Sequence, residues 1–102
     1  MDIIYHAHRA VISERMRLRA DRAVRKVARR MGRAVDAVVR FEHDGPTRRV
    51  EIVLHAPMHK SLIAEGSSRY YGPALAEAIG RLEQQVPKKL SHKTRLRAVT
   101  RG

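Results

Sequence analysis

Five basic residues, Arg15, Arg19, Arg22, Lys26 and Arg29, recur at spacings of four, three, four and three. On a helix that spacing sets their side chains in one line. The chemistry open to such a line is anion binding, because a guanidinium presents a planar fork of donors that fits two phosphate oxygens or stacks on a base. A charged run on a helix is most often just its solvated face. Solvated faces mix signs, however, and between Ser13 and Gly32 the only acids are Glu14 and Asp21. The line repels itself, and a polyanion is the first candidate to neutralise it. More basic residues, Arg81, Lys88, Lys89, His92 and Lys93, stand towards the C-terminal end, where no acid follows Glu83.

Other chemistries find less to work with. Six histidines invite a metal, since His6 and His8 would share a strand face and His55 and His59 bracket a turn, yet no carboxylate cluster accompanies them. No metal site and no cofactor is expected. Ser13 is better placed to cap a helix than to act as a nucleophile, and there is no glycine-rich phosphate loop. With no cysteine, disulfides, thiolate metal sites and thiol catalysis are excluded. The expectation is a protein that is not an enzyme.

Composition leads the same way. The 102 residues carry 22 Lys and Arg against 10 Asp and Glu, a formal charge of +12, with a pI near 11.4. That balance is the electrostatic footprint of a nucleic-acid binder. A basic membrane-surface protein shares it, but here there is no long apolar segment, signal peptide, lipidation motif or tryptophan, so no membrane partner is expected and the location read is cytoplasmic. An apolar content of 43% is enough for the chain to fold. Its length suits one domain, assigned to residues 1–90, with a basic tail at 91–102.

The elements that must position the basic line follow from hydrophobic periodicity. Asp2 to His6 reads as a strand with Ile3 and Tyr5 on one side, and Ala7 to Ile12 as a connection. The helix from Ser13 to Gly32 gathers Met16, Ala20, Ala23, Val24, Val27 and Met31 on its oily side; Ser13 suits its N-cap and Gly32 its end. Asp36 to His43 and Arg48 to His55 alternate around the turn Asp44-Gly45-Pro46-Thr47, which predicts an antiparallel hairpin burying Val39, Phe41, Val50, Ile52 and Leu54, with Ala37 on the same face as Val39 and Phe41. A third meander strand carries Leu62 and Ala64 inward and ends at Gly66. The second helix buries Leu75, Ala78, Ile79, Leu82 and Val86, starting either near Tyr71 or near Arg69 with an irregular turn, because Pro73 is tolerated only in a first turn. Pro87 is placed to end or kink it.

The fold class is therefore α+β: a two-layer β-α-β-β-β-α domain whose four-stranded sheet carries both helices on one face. Glu42, Glu51 and Glu65 fall on the other face, where Arg40 and Arg49 can pair with them across strands. Helix rotation decides whether the basic residues of the two helices converge on one surface. With three tyrosines and one phenylalanine, Tyr5 and Phe41 being assigned to the core, there is no platform for stacking many bases, so RNA would be recognised by shape and charge. Of Tyr70 and Tyr71, at least one is expected to pack at the helix start.

Taken in order, these features resemble the short form of the ribosome hibernation promoting factors and ribosome-associated translation inhibitors. The likeness rests on the opening strand, the ISER entry at Ile12 to Arg15 into a basic helix, Ala64-Glu65-Gly66 closing the last strand, a tyrosine at the start of the second helix, and RLEQQVPKKLSHK from Arg81 to Lys93. Gly72-Pro73 departs from the regular helix start of that family, and the second helix is about one residue longer before Arg81. The resemblance implies binding to the small ribosomal subunit and its rRNA in the messenger and transfer RNA channel, inhibition of translation by steric occlusion, no small-molecule substrate, and a monomer off the ribosome. By position it carries over rRNA contacts to Arg22, Lys26, Arg29, Arg81, Lys88, Lys89 and Lys93. A general double-stranded-RNA module and a small basic nuclease are the alternatives.

Overall fold

In the computed structural model of the protein, the described residues are 1–32, 36–57 and 60–86. They form β1 (Asp2–His8), α1 (Glu14–Met31), β2 (Asp36–Asp44), β3 (Thr47–His55), β4 (Leu62–Ser68) and α2 (Tyr71–Gln85). The sheet order is β1-β2-β3-β4. Only β1 and β2 run parallel, because α1 lies between them in the chain and returns it to the same end. The expected α+β class and element order are what the molecule has.

Each α1 terminus has a local cause. Ser13 Oγ accepts from the Met16 amide at 3.1 Å, and Gly32, at φ 78°, takes the left-handed turn that ends the helix. Between β2 and β3, Gly45 has φ 58° and Pro46 follows it, the residue pattern of a two-residue hairpin turn with positive φ at its first position. α2 begins at Tyr71, so Pro73 stands in the first turn, where its missing N–H leaves no ladder bond broken.

β1 and β4 run two residues further than periodicity predicted, and β2 and β3 each gain one at the hairpin, Asp44 and Thr47. β1 continues to His8 because β2 supplies partners as far as Phe41 and Glu42, and Arg9, with φ 53°, then turns the chain away. β4 continues past Gly66 to Ser68, opposite Arg49 and Arg48.

The core is one cluster between the sheet and both helices. Val39, Phe41, Val50, Ile52 and Leu54 meet Ala20, Val24, Val27 and Met31 from α1 and Ala74, Leu75, Ala78 and Leu82 from α2. Met16 and Ala23 are only half-buried, and Ala28, absent from the expected stripe, is buried. Leu54 and Val27 lie on opposite sides of this cluster, 0% and 2% exposed. Leu54→Asp or Val27→Asp is expected to abolish the cooperative melt, since an unpaired buried carboxylate costs several kcal/mol against a total stability of about 5–15 kcal/mol. An unchanged melting curve in both variants would contradict this core.

α2 also covers the free edge of β4. Glu77 accepts the Ser67 amide at 3.2 Å, Arg81 donates to the Glu65 carbonyl at 2.9 Å, and the Gln85 amide takes both the Ile63 N–H at 3.2 Å and its carbonyl at 2.6 Å. Four residues of helix rise about 6 Å and two residues of strand about 6.6 Å, so every second β4 residue meets one side chain of the antiparallel helix. An edge that would otherwise invite another strand is thereby occupied.

Candidate nucleic-acid interface

The eight basic residues of α1 divide by direction. Arg17 bonds Glu14 and lies 5.6 Å from the Tyr5 ring centre. Arg25 donates to Asp21 at 2.9 Å and to the Met1 carbonyl at 3.0 Å. Arg30 reaches Glu83 of α2 at 3.5 Å. These three fasten α1 to its neighbours. Arg15, Arg19, Arg22, Lys26 and Arg29 are all exposed, and among the described residues none of them has a carboxylate within 4.0 Å. At 100° per residue they fall within roughly 80° of the circumference, opposite the buried line of Ala20, Val24, Val27 and Met31. Arg15 to Arg29 spans about 21 Å of helix.

The flank towards β1 is held by a small polar network. The Tyr5 hydroxyl donates to Asp21 Oδ1 at 2.9 Å while Arg25 Nε binds Oδ2. Burial, and then the bond to Asp21, push the Tyr5 hydroxyl far above its ordinary range. The same bonds, Arg25 first, hold the Asp21 carboxyl below its usual value. This network fixes the rotation of α1, and so the direction of the basic line.

Between these cations is a shallow groove of about 460 Å³ lined by Arg15, Leu18, Arg19, Arg22, Ala23 and Lys26. Leu18 and Ala23 give it an aliphatic part, and the other four residues are cationic. Arg19 leans across towards α2, where a Cβ on Gly72 would come 3.1 Å from its Nη1. Since Arg19 faces Gly72 and Arg30 faces Glu83, equal steps along each helix, α1 and α2 lie side by side and parallel.

The basic residues of the two helices do not converge where both are described. Arg81 lies on the β4 flank of α2, bonded to Glu65 and 3.6 Å from Glu77, whereas Glu83, roughly 200° further round, faces α1. The Arg81 side chain remains 59% exposed. Lys88, Lys89, His92 and Lys93 lie outside the described residues, as do Pro87 and the tail.

On the open face of the sheet, Arg40 meets Glu51 at 3.1 Å, and Arg49 is shared between Glu42 at 3.0 Å and Glu65 at 3.1 Å. The expected cross-strand pairs are present. His6 and His8 share that face with Arg40 and Glu42, and His55 Nδ1 is 2.7 Å from Ser61 Oγ. Among the described residues no three His, Asp or Glu gather as a metal site, and no helix is long and apolar enough to cross a membrane.

The residue pattern alone missed which tyrosine is free. Tyr71 packs edge-on to Phe41, ring centres 5.6 Å apart at 83°, and burial raises its hydroxyl pKa. Tyr70 is 69% exposed. The available signal was its place at a helix start, a position that normally takes a short capping side chain.

The described residues thus form a two-layer α+β domain whose first helix carries an outward cationic ridge with no carboxylate partner among them. Solved structures share that fold, two of them as follows. A ribosomal subunit interface protein from Coxiella burnetii superposes with a TM-score of 0.79 at 16% identity, covering 89% of this chain and 99% of that one. The N-terminal domain of Protein Y from Thermus thermophilus gives 0.74 at 23% identity, over 84% and 96%. No protein-family model matches the chain, and no curated protein matches it by sequence.

Proposed function

We propose that the protein is a ribosome hibernation factor of the short type: it binds the small ribosomal subunit in the channel used by messenger and transfer RNA and inhibits translation by occupying that space. The observation that carries this reading is the division of α1. Three cations are spent on internal contacts, and the five that face outward are left without a carboxylate among the described residues. Like charges at three- and four-residue spacing destabilise a helix by a few tenths of a kcal/mol per pair, so the ridge has no stability rationale. Its counter-charge is external. The shared fold supports the choice of rRNA among polyanions, since one neighbour is a ribosomal subunit interface protein.

The rRNA-contacting residues in this reading are Arg15, Arg19, Arg22, Lys26 and Arg29 on the ridge, Arg81 on the β4 flank, and Lys88, Lys89, His92 and Lys93 beyond α2. No catalytic group and no cofactor takes part. Arginine-rich contact with phosphate positions the protein by charge and shape.

The test is a sucrose gradient at physiological salt. A hibernation factor travels with small subunits, whereas a general binder of structured RNA spreads over all of it, and that distribution would replace the present reading. Binding is also expected to depend steeply on salt. Displacing counterions from about six or more phosphates lowers affinity on the order of a thousandfold between about 50 and 200 mM. A nearly flat dependence, measured by equilibrium titration with purified subunits, would point to a protein partner instead.

A further inference from the structure

We propose that Tyr70 stacks on an unpaired nucleobase of the bound RNA, with Arg19 and Arg69 on the adjoining phosphates. The inference rests on the reading of the ridge as an RNA surface, and adds to it one point of contact that is not electrostatic.

Three independent observations meet at this residue. Tyr70 is the N-cap of α2 and makes no side-chain capping bond. Serine, threonine, aspartate and asparagine are preferred there because their oxygens reach the free amides of the first turn, which a phenol on its rigid ring does not. α1 of the same molecule has the favourable arrangement with Ser13, so a bulky aromatic at the second cap forgoes helix stability. Next, the ring has no aromatic partner among the described residues. Of the four aromatic residues, Tyr5 is tied to Asp21, Phe41 and Tyr71 are packed on each other, and Tyr70 alone stands 69% exposed.

The third observation is the company it keeps. Arg69 precedes it and is exposed, and Arg19 reaches from the α1 ridge to the first turn of α2, into space that the missing side chain of Gly72 leaves open. Arg19, which lines the cationic groove on α1, thus also reaches the turn that Tyr70 begins. An exposed ring that follows Arg69 in the chain, at the helix start that Arg19 reaches, is suited to an RNA base: every base has a π-face, aromatic stacking is worth about 1–3 kcal/mol per base, and arginines take the phosphates. An isolated exposed aliphatic would need no explanation. An aromatic that displaces a cap at the end of a basic groove does.

The experiment compares full-length Tyr70→Phe, Tyr70→Leu and Tyr70→Ser by thermal melting and by equilibrium binding to purified small ribosomal subunits. Tyr70→Ser supplies the missing cap, so its midpoint should rise by a few degrees while its affinity falls about 5- to 150-fold, the range that corresponds to one lost stack. Tyr70→Phe should bind within about twofold of the parent. Tyr70→Leu, which keeps apolar bulk but no π-face, should bind as poorly as Tyr70→Ser. Parental affinity in Tyr70→Ser overturns the inference. Parental affinity in Tyr70→Leu also overturns it, because an apolar pocket of a protein partner would then be what the residue enters. Charge reversal at Arg22, Lys26 and Arg29 in the same assay separates the two levels. If that variant loses binding while Tyr70→Ser does not, only the stacking fails; if neither loses binding, the RNA reading of the ridge fails with it.

Discussion

Gly66→Ala should lower the melting midpoint by at least about 12 °C, while Gly80→Ala, the same substitution on the other side of α2, should raise it. A Cβ built on Gly66 would stand 2.1 Å from the Ala74 carbonyl oxygen and 2.6 Å from the Ala78 amide nitrogen. Both are helix backbone, so no rotamer change relieves the clash. α2 would have to move off β4 by more than 1 Å to restore an ordinary contact of roughly 3.5 Å. That movement would lengthen the bonds of Glu77, Arg81 and Gln85 to the strand edge, and open the packing of Leu75, Ala78 and Leu82, each 0–1% exposed. Overpacking costs about 1–3 kcal/mol where side chains can adjust, and here the obstacle is main chain, so about 3 kcal/mol is a lower bound. For a domain of this size that corresponds to roughly 12–24 °C. A Cβ on Gly80 meets nothing within 4 Å, and replacing a glycine inside a helix by alanine gains about 0.5–1 kcal/mol of backbone entropy. Scanning calorimetry on both variants checks the pair; equal shifts of the same sign would mean that β4 and α2 are not in this close contact.

The place of Gly66 illustrates what could and could not be read from the chain. The alternation of Val39 and Phe41 and of Val50, Ile52 and Leu54 made the buried sheet face legible, because a strand with one solvated side has a period of two. Ser13 and Gly32 marked the ends of α1 by chemistry that any helix terminus needs. The close approach at Gly66 was not legible, since a glycine near a strand end reads equally well as a turn. Strand length depended on partners distant in sequence: β1 runs to His8 only because Phe41 and Glu42 lie opposite.

The rotation of α2 was hidden for a related reason. Glu77, Arg81 and Gln85 sit at four-residue steps that look like ordinary helix surface, and what they bind is backbone of β4, which carries no side-chain signature. Arg81 therefore looked interchangeable with the ridge residues of α1, and the structure separates them. On α1 the periodicity sufficed, because the oily line and the basic line lie on opposite sides of one helix and burying the first aims the second. Even there, which cations stay unpaired depended on Asp21 meeting Arg25 and Tyr5, and on Glu83 coming from another helix.

Reversing Arg22, Lys26 and Arg29 to Glu together should reduce affinity for small ribosomal subunits more than about a hundredfold and abolish inhibition of translation, with the fold intact. All three are exposed, and none bonds another group of the protein among the described residues. Their removal also relieves like-charge repulsion along the helix, so the melting midpoint should hold or rise slightly. On the RNA side each reversal replaces attraction by repulsion in a low-dielectric, crowded contact; even about 1 kcal/mol per lost contact gives more than a hundredfold over three. Charge contact leaves a second signature that lost packing does not. The logarithmic salt slope should flatten by nearly one unit for each phosphate no longer neutralised, about three units in all. Arg40→Glu is the matched control, a reversal on the open sheet face with Glu51 as its partner; its affinity and slope should stay close to the parent's. A folded triple variant that still sediments with small subunits, or an Arg40→Glu that is the more damaging change, would move the binding face from the α1 ridge to the sheet or to the basic residues beyond α2. A large loss of affinity with an unaltered slope would mean that the three cations act through shape and not through phosphate charge.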